Sequence, residues 1–398
     1  AGLISLRSVV RFHFPLPFGV IVIKKNLQNI FKRFSYYIFI KIYGKIENSI
    51  NVKDDNRIEV KTVNIEKYPR YEYKVYKILN GRLYTDRVQD IAVILDNKIV
   101  EGPSFQQRQT KELKVYNAPI NENIVFKKGT SRILRSLNGS ILSLLTGGGG
   151  NENYWHWLFD VLPRLSLCSK VINLNKIDYF LLPSILNNFQ NETLNLLKIP
   201  NHKRLSSEKY RHVKSNNLLV TDHPVVISGD ATEDHNNPPG WIIEWLRSNF
   251  LKEGIITNKE KKKIYIDRTT KKTNLNLQRI ITNEKEVKEC LIKNNFIPVK
   301  LHEIKFSDQV DLFYNAECVV GLHGAGFVNL VFCKPKTKII ELRSLTSGNS
   351  IQNISKKNNL NYDPIIVESK KIDNSSISNQ QGSYKIPINI LLEKIKNI

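Results

Sequence analysis

Methionine is absent from this 398-residue chain, cysteine occurs four times, and acidic side chains are scarce beside basic ones. Cys168, Cys290, Cys318 and Cys333 stand far apart, with no C-x-x-C pair and no Cys/His cluster at zinc spacing. That argues against a disulfide framework and a structural zinc, and fits a reducing compartment. No long apolar run is present either. Phe12 to Ile23 holds His13, Pro15 and Pro17 and is too short to span a bilayer as a helix. No small-residue cleavage site follows it, so a cleavable signal peptide is not expected. The chain opens at Ala1, so either its initiator is removed or the sequence is a fragment.

Against 37 Asp and Glu there are 60 Lys and Arg, a formal net charge of +23. Such an excess implies an anionic partner: nucleic acid, an acidic membrane surface or a phosphorylated substrate. Composition is otherwise globular, 41% hydrophobic and 24% charged, which excludes wholesale disorder. The length suits two domains of ordinary size or one large one.

Residues 1–56 form a basic, aromatic segment in which Lys24, Lys25, Lys32 and Arg33 precede Phe34-Ser35-Tyr36-Tyr37-Ile38-Phe39-Ile40. This composition suits a segment lying on an anionic membrane, or a domain edge tucked onto the core. Beyond it, β-branched and aromatic runs such as Ile91–Leu95, 141–145, Tyr179–Leu182 and 218–220 read as strands. Thr232 to Gly240 reads as a polar loop, and the stretch around Lys259 to Lys263 as a linker. After the linker come a strand at 264–266, helices at 284–294 and 308–315, strands at 318–321 and 338–342, and a closing helix at 386–398. The alternation predicts an α/β protein with parallel, doubly wound sheets: two Rossmann-like domains facing a cleft, over 57–255 and 256–398.

Two constellations carry chemistry. Asn153, His156, Asp160 and Arg164 recur at spacings of three or four, so a helix places them on one face. Asp160 one turn from His156 suits a general base whose tautomer is held by a carboxylate. The alternative is a satisfied interior His–Asp–Arg network. Gly147 to Gly150 precede this helix and permit close backbone approach to a ligand, which makes Gly149, Gly150, Asn153 and Arg164 acceptor-site candidates. The second constellation, Gly321-Leu322-His323-Gly324-Ala325-Gly326-Phe327-Val328-Asn329, follows a strand and opens a helix, the setting of a diphosphate site. Arg268 past the strand at 264–266 suits bidentate phosphate contact. Glu341 is placed to accept from ribose hydroxyls, and Arg279 and Glu284 lie in a further polar cluster. The polar stretch with Asp234 and His235 is a candidate acceptor loop.

The segments N-Y-W-H-W-L-F-D-V-L-P-R-L (153–165), I-Y-I-D-R (264–268), R-I-I-T-N-E (279–284), G-L-H-G-A-G-F-V-N-L-V-F (321–332) and I-I-E-L (339–342) resemble glycosyltransferase family 61. That family includes bacterial surface-polysaccharide enzymes and EGF-domain O-GlcNAc transferases. The resemblance implies a GT-B architecture, a nucleotide-sugar donor that is usually UDP-linked, inversion at the anomeric carbon and no obligatory metal. His156 with Asp160 would then be the catalytic pair. Arg268, Arg279, Glu284, His323, Gly324, Ala325, Gly326, Asn329 and Glu341 would hold the donor. Asp267 stands where the family usually carries another residue, which bears on the charge around Arg268.

The expected function is therefore transfer of a sugar to a hydroxyl of a glycan or lipid-linked glycan, in surface polysaccharide synthesis. No cofactor, no metal and no nucleic acid is expected, and the expected place is the cytoplasm, peripheral to the inner membrane face. A basic nucleic-acid-binding protein and a sugar-nucleotide epimerase are the competing readings. The first lacks a recognisable nucleic-acid module, and the second needs no acceptor.

Overall fold

The computed structural model describes residues 34–65, 71–85, 90–110, 114–145, 153–256, 260–268, 279–370 and 382–396. The expectations placed on 12–33 and on Gly149 and Gly150 lie outside them. Among the described residues no helix is long and apolar enough to cross a membrane.

Two large sheets organise the chain. The first has ten strands in the order Asn48–Ile50, Lys98–Val100, Ile91–Leu95, Arg82–Thr85, His212–Thr221, Arg135–Ser143, Tyr179–Leu182 and Arg204–Ser206. Glu72–Leu79 also pairs with His212–Thr221, and Ile58–Asn64 pairs with Glu72–Leu79. Parallel pairing runs from His212–Thr221 through Arg135–Ser143 and Tyr179–Leu182 to Arg204–Ser206. The remainder is largely antiparallel, so the expected parallel sheet is corrected to a mixed one. The cause is local: Ile91–Leu95 and Lys98–Val100 are joined by Asp96-Asn97 alone, both with positive φ. Such a two-residue turn closes a hairpin and leaves no room for a crossover helix.

The second sheet meets the expectation. Phe296–Val299, Lys262–Ile266, Ala316–Leu322, Lys338–Arg343 and Asn361–Tyr362 lie side by side in that order, all parallel. Its central strands are buried along their length, as strands covered on both faces must be. Lys262 and Lys263 belong to a strand rather than to a linker. Chain order along the sheet reverses between Lys262–Ile266 and Ala316–Leu322. A crevice therefore opens past the carboxyl ends of these two strands, the place where open α/β sheets bind ligands.

One hydrophobic cluster joins the halves, running from Trp157, Phe159 and Leu246 to Ile264, Phe306 and Val328. Phe250 meets Phe306 edge to face at 4.9 Å, and Arg247 Nη1 donates to the carbonyls of Val331 (2.6 Å) and Cys333 (2.8 Å).

Candidate functional site

The helix that carries the first constellation starts at Asn153, whose side chain accepts from the amides of Trp155 (2.9 Å) and His156 (3.4 Å). This is an ordinary N-cap, and it fixes where His156 falls. Over Trp157–Val161 the helix widens to a π turn, closed by the Leu162 amide on the Trp157 carbonyl. Pro163 begins the next segment, Pro163–Ser169, without an N–H to give. The kink that Pro163 would impose on a continuous helix is thus absorbed as a widened turn at the residues just before it.

Asp160 sits inside that turn, 2% exposed. His156 Nδ1 lies 2.6 Å from its Oδ2. His235 Nε2 lies 3.2 and 3.1 Å from the two carboxylate oxygens, and His223 Nε2 is 3.8 Å from Oδ2. The hydrogen-bond partners assign the protons. His223 Nδ1 accepts from the amides of Val225 and Val226, so its proton is on Nε2. His235 Nδ1 donates to the Ala231 carbonyl at 2.6 Å while its Nε2 faces the carboxylate, so it carries both protons. Burial works against that cation, but Asp160 outweighs it and the His235 pKa is raised. Burial likewise opposes ionisation of Asp160, yet His235, His156 and His223 hold its carboxyl well below the ordinary range. Burial keeps His223 neutral, its pKa far below the usual imidazole value. His156 gives Nδ1–H to Asp160 and turns Nε2 to the cavity.

Several candidates occupy other places. Arg164 is wholly buried and donates to the carbonyls of Asp160 (2.7 Å), Thr221 (3.4 Å) and Asp222 (3.3 Å). Burial lowers its pKa to about 9. It braces the site helix and does not face an acceptor. Thr232 to Gly240 is not a loop throughout: Ala231–Asn236 is a helix, because Asp230 caps the amides of Thr232 and Glu233. Asp234 accepts from the amides of Ile227 and Ser228, and so ties that turn rather than an acceptor. The helix is what delivers His235 to Asp160.

In the second half, Arg268 Nη1 and Arg279 Nη1 converge on one carbonyl, that of His323, at 2.8 and 2.6 Å. Burial of the guanidinium and the adjacent Arg279 pull Arg268 down to about 10, still charged at neutral pH, although the residue as a whole reaches solvent. Asp267 does not neutralise it, being paired with Lys288 at 2.8 Å. A Cβ on Gly324 would come within 2.8 Å of Arg268 Nη1 and 3.3 Å of Arg279 Nη1, so a side chain there would push the guanidinium tips aside. The following segment, Ala325–Phe332, is a tight 3₁₀ helix rather than the expected α-helix.

Three of the donor candidates lie behind this surface. Glu341 is fully buried and receives hydrogen bonds from His323 Nδ1 and Tyr362 Oη, with Arg343 3.9 Å away. It is closed to a ribose and orients His323 instead. Asn329 is buried too, accepting from Tyr154 Oη (2.7 Å) and donating to Gln309 (2.9 Å), which fastens the site helix to the glycine turn. Glu284 accepts from Tyr265 Oη at 2.7 Å, and burial raises its pKa.

Two cavities flank the turn at Gly324 and Ala325. One, ≈ 300 Å³, is lined by Asn153, His156 and His235 from the first half and by Arg279, His323, Gly324 and Ala325 from the second. The other, ≈ 280 Å³, is lined by Tyr154, Phe189, Arg268, Leu301, Gln309 and Phe327, among others. A larger cavity of ≈ 770 Å³ lies apart, beside Trp241 and Trp245, with no histidine or arginine among its described lining residues. Sequence reasoning missed His223, whose one signal is its place just past the carboxyl end of strand His212–Thr221. It also missed Tyr154, Phe189 and Tyr362, whose sequence signals do not differ from those of core aromatics. His156, Asp160 and His235 offer three donor atoms within 4.8 Å of one another, a set able to hold a divalent ion.

Residues 154–340 match the sequence model of a family described as Glycosyltransferase 61. No curated protein matches the chain.

Proposed function

Residues 154–340 match glycosyltransferase family 61, and from that premise we propose that the chain is a glycosyltransferase whose two halves divide the reaction. Residues 256–398 bind a nucleotide-diphosphate sugar, UDP-linked as the base case, and 57–255 present the acceptor and the base, in a GT-B arrangement. One observation carries this reading: His156 and the His323–Ala325 turn with Arg279 line the same ≈ 300 Å³ cavity. The apolar, aromatic-walled neighbour of ≈ 280 Å³ suits the nucleoside, and its position past Lys262–Ile266 and Ala316–Leu322 is where such sheets take nucleotides. The diphosphate then bridges the two cavities over Gly324, against both guanidinium groups.

The bond changes follow. His156 Nε2 takes the proton of the acceptor hydroxyl as its oxygen bonds to the anomeric carbon. The bond from that carbon to the phosphate oxygen breaks from the opposite face, and its electron pair leaves with the nucleoside diphosphate. A base on one side and cations on the other produce inversion. General-base assistance contributes roughly 10²–10⁴ in rate, and fixed positive groups on the leaving oxygen about 10²–10³. Asp160 compensates the imidazolium that forms on His156.

The His–Asp cluster is read as held by protons. Asp160 already receives His156 Nδ1–H and His235 Nε2–H, so turnover should survive chelation. The acceptor is read as a glycan or lipid-linked glycan in surface polysaccharide synthesis on the cytoplasmic membrane face. A thermal-shift series with nucleoside diphosphates and their sugars tests the donor assignment. Ligand at ~100 times its Kd stabilises by about 2.7 kcal/mol. A flat response to every nucleoside diphosphate would overturn the assignment.

A further inference from the structure

The helix over 34–43 is apolar on both of its sides, and among the described residues only one of them is packed. Its inner stripe packs inward. Tyr43 Oη accepts from the Leu134 amide at 2.9 Å, its ring meets His212 edge-on at 5.2 Å, and Tyr36 lies against Gly129. Phe39 stacks on Tyr43 at 5.7 Å. These contacts fix the helix's rotation, so the opposite stripe is held outward. That stripe is Phe34, Tyr37, Ile38 and Ile42, exposed to 64, 65, 40 and 61%. The spacing of three, four and eight residues puts them in one line. Ile133, which precedes the residue bonded to Tyr43, is 73% exposed and lies close to the helix.

Scattered apolar side chains on a surface mean little, but a continuous stripe of large ones on a rigid helix marks a contact surface. The charges beside it say with what. Lys41 stands on the outward stripe, and Lys127 and Lys128 are exposed immediately before Gly129, where Tyr36 packs. Glu47, the acidic side chain just beyond the helix, is paired with Lys45 at 2.5 Å. Aromatic and branched side chains bordered by lysines match the boundary between acyl chains and anionic headgroups.

We propose that the outer face of helix 34–43, with Ile133 and the flanking lysines, seats this enzyme on an anionic lipid surface. The helix lies in the plane of the headgroups, and the two sheets stay on the water side. The proposal is independent of the sugar chemistry.

Full-length protein is sedimented with vesicles of phosphatidylcholine alone and with about one third phosphatidylglycerol. The wild type should partition to the anionic vesicles at least ~10-fold better than to the neutral ones. The combined Phe34→Ser, Tyr37→Ser, Ile38→Ser and Ile42→Ser variant changes only outward side chains, so it should fold. Its partition should fall by ~10-fold or more while turnover on a water-soluble acceptor is kept. Lys127→Glu with Lys128→Glu should remove the preference for anionic lipid. Equal binding of the four-residue variant would overturn the proposal, as would a wild type that ignores vesicles. A wild-type dimer in sedimentation that the variant loses, without vesicle binding, would reassign the face to self-association.

Discussion

At the scale of the residue, the site turns on which side chains are held and which are left to act. Asp160 faces His156, His223 and His235, yet is nearly closed to solvent, so the proposed reaction uses it as an orienting carboxylate and offers His156 to the acceptor. The same division recurs across the cavity, where Glu341 is buried behind His323. Glu341→Gln removes the carboxylate that receives both His323 Nδ1–H and Tyr362 Oη–H. It is expected to raise the donor KM about tenfold, ~1.4 kcal/mol, with Tyr362→Phe moving it less. Michaelis constants for the donor measure this, and an unchanged KM in a folded Glu341→Gln protein would make Glu341 structural only. The 156–160 spacing was legible in the sequence because i,i+4 partners meet on any helix. The roles of Arg164, Asn329 and Glu341 were not legible. Each lies on a predicted element at the predicted place, but only packing decides whether a side chain faces the cleft or the core.

At the scale of the element, the second sheet was readable and the first only in part. Buried runs such as Cys318-Val319-Val320 can be little else than parallel strands between two helix layers. In the first sheet the signal that mattered was Asp96-Asn97, a hairpin turn hidden among ordinary polar residues. The Ala231–Asn236 helix was hidden for a similar reason: its polar residues look like loop, and Asp230 as cap makes them helical. Strand His212–Thr221 carries a further consequence. His212 is wholly buried between Tyr43 and Tyr84, and burial pulls its pKa down to about 4. The folded chain therefore refuses a proton that the unfolded chain accepts below about 6.5. Stability should fall as pH drops from about 6.5 towards 4, by about 3 kcal/mol from this group at the lower end. His212→Asn keeps a donor for the Arg132 carbonyl and removes the titration. Melting temperatures from pH 7 to 4.5 should decline less steeply in the variant. Parallel curves would sink the argument.

At the scale of the whole molecule, the halves share a core instead of touching across a wet interface. The packing of Phe250, Phe306 and Phe332 and the Arg247 contacts predict one cooperative unfolding transition. Calorimetry resolving two transitions would contradict that. The shared core also fixes the distance from His156 to the His323–Ala325 turn, as the proposed meeting of base, sugar and leaving group in one cavity requires. The measurement that tests this most directly sets turnover beside nucleoside-diphosphate affinity in His156→Ala and Arg268→Ala. His156→Ala should lose about 100-fold or more in rate and bind UDP as the parent does. Arg268→Ala should keep its fold and lose both. If His156→Ala turned over nearly as fast as the parent, or Arg268→Ala bound UDP unchanged, the proposed meeting of base and donor in this cavity would be contradicted.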